Sequence, residues 1–392
     1  MINQPTISLT ADMTRPTHVE INLGQLTANY QAIQAHVGRA LVMPILKANA
    51  YGHGLLAIAQ HLESIGVPYF GVAYLEEGLL LRQAGIRTPI LVMGGILDNQ
   101  IPLFLQNDLT LTASSVEKLG QIETAAAQLH LRAKVHLKID TGMERIGVHY
   151  YNAHELFEAA VACQHSDIEG VYSHFANADA ADLSHAELQL DRFMTALRFY
   201  DERELEPPRL RHIANSGGIL QLPQAHLDMV RPGILLYGVY PSAEAERTVA
   251  VRPALSWKSR VVYFKVVQPG HPVSYGSTWQ SAEMVRVVTV PVGYGDGYFR
   301  ALSNKAQVLI HGRRYPVIGR ICMDQLMVNI GWESAYNGDE VILVGQSGAE
   351  TITFEELAEW ANTIPYEILT NINTRVPRVY VLKSQPSMNN EQ

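Results

Sequence analysis

The sequence predicts an α/β protein: an N-terminal (β/α)8 barrel of the TIM type over residues 15–250, then a mainly β C-terminal domain over residues 251–383. Three observations lead there. About eight short apolar segments alternate with helical patterns across roughly 200 residues, the count and length of a closed parallel barrel. Near residue 250 the apolar spacing changes from the helical period to the strand period of two. A chain of 392 residues, 47% of them hydrophobic, is long enough for two cores. A doubly wound open sheet is the competing arrangement, but no Gly-x-Gly-x-x-Gly follows the first strand.

Taken in order, residues 1–14 read as an N-terminal tail. They are polar and carry no apolar run, so no signal peptide is expected. Residues 17–22 alternate as a strand does. Residues 23–37 space Leu26, Tyr30 and Ile33 as a helix does. Barrel strands then fall near 41–46, 69–73, 89–93, 109–112, 133–139, 168–174, 210–214 and 228–231. Helical patterns over 75–84, 115–130, 151–164 and 183–203 lie among the connections. In the second domain, residues 255–267, 284–292, 307–330 and 340–344 are strand-like. Pro269-Gly270, His311-Gly312 and Asn337-Gly338-Asp339 supply turn signals between them. One helix is predicted there, over 353–362, because Thr353 and Glu356 have the spacing of a capping box. Residues 384–392 read as a polar tail, and no internal repeat is visible.

Composition narrows the function. Lys and Arg number 30 against 38 Asp and Glu, a net charge of -8, which argues against a nucleic-acid or anionic-membrane partner. The two cysteines, Cys163 and Cys322, are far apart and outside any CxxC pattern, as in a reducing compartment. No apolar run reaches the length of a membrane span. A soluble cytoplasmic protein is the expectation.

The chemistry is arranged around Leu46-Lys47-Ala48-Asn49-Ala50-Tyr51-Gly52-His53-Gly54. This stretch puts a lysine where a buried strand ends, then a small-residue loop, then a helix beginning near Leu55. In α/β layers the carboxyl ends of strands carry the chemistry. A lysine desolvated there has a lowered pKa and a nucleophilic amine. The plain alternative is a surface lysine at a strand end. Further along, Val135-His136-Leu137-Lys138-Ile139-Asp140 alternates apolar with polar residues. If the apolar set faces the helices, His136, Lys138 and Asp140 face the barrel interior. Arg145 lies in the loop that follows. His174 ends the sixth strand, Asn215 and Ser216 follow the seventh, and Arg231-Pro232-Gly233 ends the eighth. Each has a plain reading as a loop or cap residue, but together they share one rim of the barrel. Gly293-x-Gly295-x-Gly297 leads into Tyr298-Phe299 and not a helix, against a dinucleotide loop. His174 with Asp179 and Asp182 could be drawn as metal ligands, but the aspartates read as loop residues, and no metal is expected.

These motifs, in order, resemble the alanine racemase family, pyridoxal-phosphate enzymes of fold type III, over roughly residues 15–383. They are Lys47-Ala-Asn-Ala-Tyr51-Gly-His-Gly, Lys138-Ile-Asp-Thr-Gly-Met-Glu-Arg145-Ile-Gly, Tyr172-Ser-His174-Phe-Ala-Asn-Ala-Asp and Ala214-Asn-Ser216 in the first half. In the second half they are Arg231-Pro-Gly233-Ile234-Leu-Leu-Tyr-Gly, Tyr275-Gly, Val292-Gly-Tyr294-Gly-Asp-Gly, Ile321-Cys-Met323-Asp324 and Arg375-Val-Pro-Arg378. The resemblance implies interconversion of L- and D-alanine by two bases. Lys47, which also holds pyridoxal 5'-phosphate covalently, is one, and Tyr275 of the partner subunit in a homodimer is the other. It implies a cofactor-binding set of Lys47, Tyr51, Arg145, His174, Asn215, Ser216, Arg231, Gly233, Ile234 and Tyr366. Within that set Tyr51, Ser216, Gly233, Ile234 and Tyr366 surround the phosphate, Arg231 meets the pyridine nitrogen, and His174 links Arg231 to Tyr275. Arg145 and the Met323 backbone N–H would receive the substrate, and Lys138 would be carbamylated. A role in making D-alanine as a peptidoglycan precursor follows from the same resemblance. A racemase of the same fold acting on serine, lysine or a broad set of amino acids stays open. So do a decarboxylase of the same plan, which would be expected to place a carboxylate where Arg231 stands, and a non-catalytic pyridoxal-phosphate carrier. The carriers are barrels without a second domain, so residues 251–383 argue against the last.

Overall fold

Eight parallel strands close into a ring within residues 23–254 of the computed structural model, which describes residues 15–382. The barrel strands are Leu41–Val42, Phe70–Val72, Ile90–Val92, Leu111–Ala113, Ala133–Asp140, Ser166–Tyr172, Leu210–His212 and Met229–Val230. They match the eight segments read from the sequence. Ladders join the second strand to the third, and the fourth through the seventh to one another. Single bridges, Ile45 to Gly71 and Leu91 to Thr110, join the first to the second and the third to the fourth. Asp228 N donates to Arg211 O at 3.1 Å and Arg231 N to Ala214 O at 3.0 Å, which ties the seventh strand to the eighth. Met229 pairs with Leu41 and Val230 with Val42, and the ring is closed without a free edge.

The helices form because their apolar residues recur on one face. In Leu55–Ser64 the buried residues are Leu55, Ile58, Ala59 and Leu62, one stripe at helical spacing. Val116–Leu129 starts on an N-cap, Ser115, whose hydroxyl accepts from Lys118 N at 3.0 Å, and ends at a left-handed His130. Leu23–Val37 precedes the first strand and packs near the turn Ile234–Tyr237, where Asn29 donates to Leu236 O at 3.1 Å.

The second unit contains residues 255–382 together with residues 15–22. Here the structure departs from the sequence reading, which began the barrel at residue 15. His18–Asn22 does alternate, with Val19 and Ile21 buried, but it pairs antiparallel with Leu255–Arg260 and parallel with Arg378–Val381. Its periodicity reports one buried face and carries no information about which sheet supplies the partner. Helix Leu23–Val37 follows Asn22 directly, so no linker marks the crossing.

The ten-stranded sheet of this unit is antiparallel apart from that one parallel pair. The apolar run 255–267 divides into Leu255–Arg260 and Tyr263–Val267, which hold separate places in the sheet. The division comes at Val261 and Val262, whose N–H groups go to Asp339 O and Thr289 O on different neighbours. The run 307–330 similarly divides into Gln307–Ile310, Arg313–Ile318 and Leu326–Gly331. The predicted helix is Phe354–Ala361, with the Thr353 and Glu356 capping box formed in both directions. A second short helix, Pro365–Thr370, carries Tyr366 and was not foreseen. The tails expected at 1–14 and 384–392 lie outside the described residues.

Candidate active site

Lys47 follows the first barrel strand and opens a turn of the wrong hand. Ala48, Asn49, Ala50 and Tyr51 all have φ between 51° and 57°. Each such residue costs about 1–2 kcal/mol relative to the right-handed form, so the turn must be held from outside. Glu77 does part of this, accepting from Ala48 N at 2.7 Å and from Ala73 N at 2.8 Å. Asn49 turns its Oδ1 to Leu55 N at 2.8 Å and so starts the next helix. The alanines are small because a left-handed turn crowds each Cβ against the following carbonyl. Burial first, then the Arg145 cation, lower the Lys47 amine below the ordinary lysine range, with Glu77 opposing.

Lys47 shares a cavity of about 360 Å3 with Met93, Lys138, Arg145, Tyr172 and His174. Beneath these residues lies Arg231, only 2% exposed. Its guanidinium donates to Nδ1 of His212 at 2.6 Å, Nδ1 of His174 at 3.1 Å, Ser173 O at 2.7 Å and Ile213 O at 3.0 Å. Its Nε–H and remaining Nη1–H meet no acceptor among the described residues, so both can serve a ligand. A cation this deep disfavours protonation of its neighbours. Burial first, then Arg231, hold His174 and His212 well below the usual histidine range.

The fifth strand buries all three polar residues that alternate along it. His136 and Lys138 point into the barrel and are buried. The Lys138 amine lies 4.8 Å from the centroid of the Tyr172 ring and donates to Ile139 O at 3.3 Å. Asp140 is buried as well, and its carboxylate gathers the loop that follows. Its Oδ1 accepts from the N–H groups of Gly142, Met143 and Glu144, and its Oδ2 from Arg145 N. Asp140 thus shapes the loop that presents Arg145.

Ser216 lies where the seventh and eighth strands end. Its hydroxyl accepts from Gly233 N at 3.0 Å and Leu235 N at 3.3 Å. Tyr51 comes close to the same place: a Cβ on Gly233 would stand 2.4 Å from the Tyr51 hydroxyl oxygen. Only glycine allows this approach. Two hydroxyls and the backbone that opens the turn Ile234–Tyr237 therefore converge on one small volume, the kind of surround that suits a phosphate. Asn215 stands beside it as the cap of Ser216–Gln221, its Oδ1 on Gly218 N at 3.0 Å.

Tyr275, Met323 and Tyr366 belong to the β unit. Tyr275 opens a short turn after Ser274, whose φ is 68°, and is 70% exposed. The Ser274 hydroxyl donates to Arg320 O and lies 3.6 Å from the Cys322 sulfur. This brings the Tyr275 segment to the one that carries Met323, whose carbonyl accepts from Gly295 N at 2.9 Å. A hollow of about 830 Å3 in this unit runs past Ser274, Tyr275 and Cys322. Glu77 and His212 were not foreseen from the sequence. For His212 the signal was present, since its strand alternates and a histidine there shares a face with Leu210 and Ala214.

The chain matches the model of the alanine racemase N-terminal domain over residues 21–241 and that of the alanine racemase C-terminal domain over residues 254–380. It is similar to the alanine racemase of Carboxydothermus hydrogenoformans, 45% identical over 94% of this chain and 100% of that one. It is likewise similar to that of Geobacter sulfurreducens, 41% identical over 94% of this chain and 98% of that one. Among solved structures, an alanine racemase from a D-cycloserine-producing Streptomyces lavendulae superposes with a TM-score of 0.89 at 36% identity, covering 94% of this chain and 97% of that one. The Bartonella henselae alanine racemase with covalently bound pyridoxal phosphate superposes with a TM-score of 0.85 at 28% identity, covering 94% of this chain and 100% of that one.

Proposed function

The chain belongs to the alanine racemase family, and we propose that it interconverts L- and D-alanine with two bases, Lys47 from its own barrel and Tyr275 of the partner subunit. The observation that carries the reading is the cavity in which Lys47, with a lowered pKa, faces Arg145, Lys138 and His174. The family's cofactor is pyridoxal 5'-phosphate, which when bound withdraws electrons from the substrate Cα and makes its C–H acidic.

The residues fit that group. Lys47 would hold it covalently, and the donors at Tyr51, Ser216, Gly233 and Ile234 would surround its phosphate, joined by Tyr366. Arg231 would meet the pyridine nitrogen with the N–H groups it does not spend on its neighbours. A guanidinium does not readily release a proton, so the ring nitrogen stays unprotonated. Arg231 thereby limits electron withdrawal and discourages transamination.

Racemisation needs a base on each face of the Cα. The lowered pKa of Lys47 favours its neutral amine, the form that can take a proton on one face. On the other face, Tyr275 of the partner subunit needs a donor that stabilises its phenolate. His174 is suited to this, because Nδ1 is occupied by Arg231 and its proton must sit on Nε2. Arg145 and the Met323 backbone N–H would fix the substrate carboxylate. A carbamylated Lys138 would give Arg145 an anionic partner.

The reading includes a homodimer with two shared sites and a cytoplasmic enzyme that supplies D-alanine for peptidoglycan precursors. Among the described residues no helix is long and apolar enough to cross a membrane. A chiral assay of purified protein with a panel of L-amino acids, with and without added cofactor, tests the function. Cofactor-dependent D-alanine formation above all other products is expected, and preferential turnover of serine or lysine would overturn it.

A further inference from the structure

A buried histidine of the barrel, His136, has no part in the reading above. His136 is fully buried on the fifth strand, and its Nδ1 lies 2.9 Å from Nε2 of His212. His212 in turn presents Nδ1 to Arg231 at 2.6 Å. We propose that His136 is a positioning residue: by accepting the Nε2–H of His212, it holds the His212 ring with a bare Nδ1 against Arg231.

The protonation pattern follows from counting donors and acceptors. A guanidinium has only donors, so Nδ1 of His212 must accept. A neutral imidazole with a bare Nδ1 carries its proton on Nε2. Nε2 of His212 is therefore the donor to His136, and Nδ1 of His136 is the acceptor. His136 is then neutral too, with its own proton on Nε2. Burial first, then the Arg231 charge, press the same way, holding His136 down to about 3 and His212 well below the ordinary range. A second proton on either ring would reverse a donor in the chain, and none is accommodated.

Two backbone features seat the ring. The register between the fifth and sixth strands slips between Val135 and His136, so that His136 faces Gly170. Such a bulge re-aims a side chain. A Cβ on Gly170 would stand 2.6 Å from Nδ1 and Cε1 of His136, so the ring lies over bare backbone. Tyr69 and Tyr172 flank it, with ring centroids 5.8 Å and 6.4 Å away. An apolar side chain of similar volume would fill this space without the penalty of burying a polar ring. What the imidazole adds is the lone pair that His212 requires.

The effect on the cofactor rests on the reading of Arg231 given above, whereas the tautomer of His212 does not. The test uses holoenzyme labelled with 15N-histidine, His212 being assigned through His212→Asn. In the wild type at neutral pH, His212 should show a protonated Nε2, a bare Nδ1, and a 15N–15N coupling through the hydrogen bond to His136. His136→Asn places an amide oxygen where Nδ1 stood and should keep the His212 pattern. His136→Leu should lose it to shifted or broadened signals and should also shift the absorption maximum of the bound cofactor. A wild-type His212 protonated on Nδ1, or on both nitrogens, would overturn the proposal even if His136→Leu did not fold. An unchanged His212 in His136→Leu would do the same. A cofactor spectrum unmoved by Arg231→Lys would refute the reading of Arg231 alone, because the His212 pattern is measured independently of it.

Discussion

Arg231 donates a guanidinium N–H to Nδ1 of His174 at 3.1 Å. That contact decides the tautomer of His174 and points its remaining N–H away from Arg231. It also makes Arg231 structural as well as chemical, since four acceptors depend on it. Arg231→Glu would set a carboxylate against two bare imidazole nitrogens and two carbonyls. We expect a loss of about 3–5 kcal/mol in stability, the usual cost of breaking a buried charged network. In the folded fraction, racemisation should slow and L-alanine should yield up to one pyruvate per site, its amino group being left on the cofactor as pyridoxamine phosphate. A folded variant with wild-type rate and no pyruvate would contradict the assignment.

Lys47 is expected to carry the cofactor. Borohydride reduction of the holoenzyme followed by peptide mapping should place the pyridoxyl label on the peptide containing Lys47. Lys47→Ala should lower the rate by roughly 10²–10⁴-fold, the range for a positioned general base, and further if covalent attachment is essential. A label on Lys138, the other lysine of the cavity, would sink the assignment.

Lys138 is a buried amine beside two arginines. Burial first, then Arg231, push it well below the ordinary lysine range, and Asp140 opposes them. The shift favours the uncharged amine, the form that adds to carbon dioxide. The product is an anion, which Arg231 and Arg145 both favour. Protein equilibrated with 13C-bicarbonate should show one carbamate carbon signal, absent from Lys138→Met. A spectrum identical in the two proteins would exclude carbamylation here.

Mixing inactive Lys47→Ala with inactive Tyr275→Ala tests whether the two bases come from different chains. In a mixed dimer one site carries both lesions and the other carries neither. Random exchange makes half the dimers mixed, so recovery should approach about a quarter of wild type. Zero recovery, with exchange confirmed by size and label, would place both bases on one chain.

Asp296 offers a pH test of the β unit. Its buried carboxylate meets Arg15 at 2.7 Å and Arg375 at 2.7 Å, and accepts from Gly293 N. Burial alone would raise its pKa, but these partners outweigh it and hold it below the ordinary 3.8. A carboxylate depressed in the folded state stabilises at pH values above its unfolded pKa, and the contribution fades as pH falls through the folded value. Asp296→Asn should therefore cost about 2 kcal/mol at pH 7, with the gap to wild type closing below about pH 4. Urea midpoints measured across that range decide it, and a gap independent of pH would show that the charge is not the cause.

The sequence by itself determined the (β/α)8 order, the change of period near residue 250, and the strand-end placement of Lys47, His174, Ser216 and Arg231. It also determined the Thr353 and Glu356 cap. These features are local: a period, a cap or a strand end is written within a few residues. Tertiary structure alone decided the rest. It sent residues 15–22 into the β sheet, because an alternating strand does not name its partner. It tied the buried Asp140 carboxylate to the loop that follows, because four N–H groups converge on it there. It joined His136 to His212 across 76 residues of chain and ran the contact on to Arg231. Alternation could place each of those side chains inside the barrel. Only closure of the ring determined which nitrogen meets which, because a hydrogen bond depends on distances of a few tenths of an ångström between strands that the sequence keeps far apart.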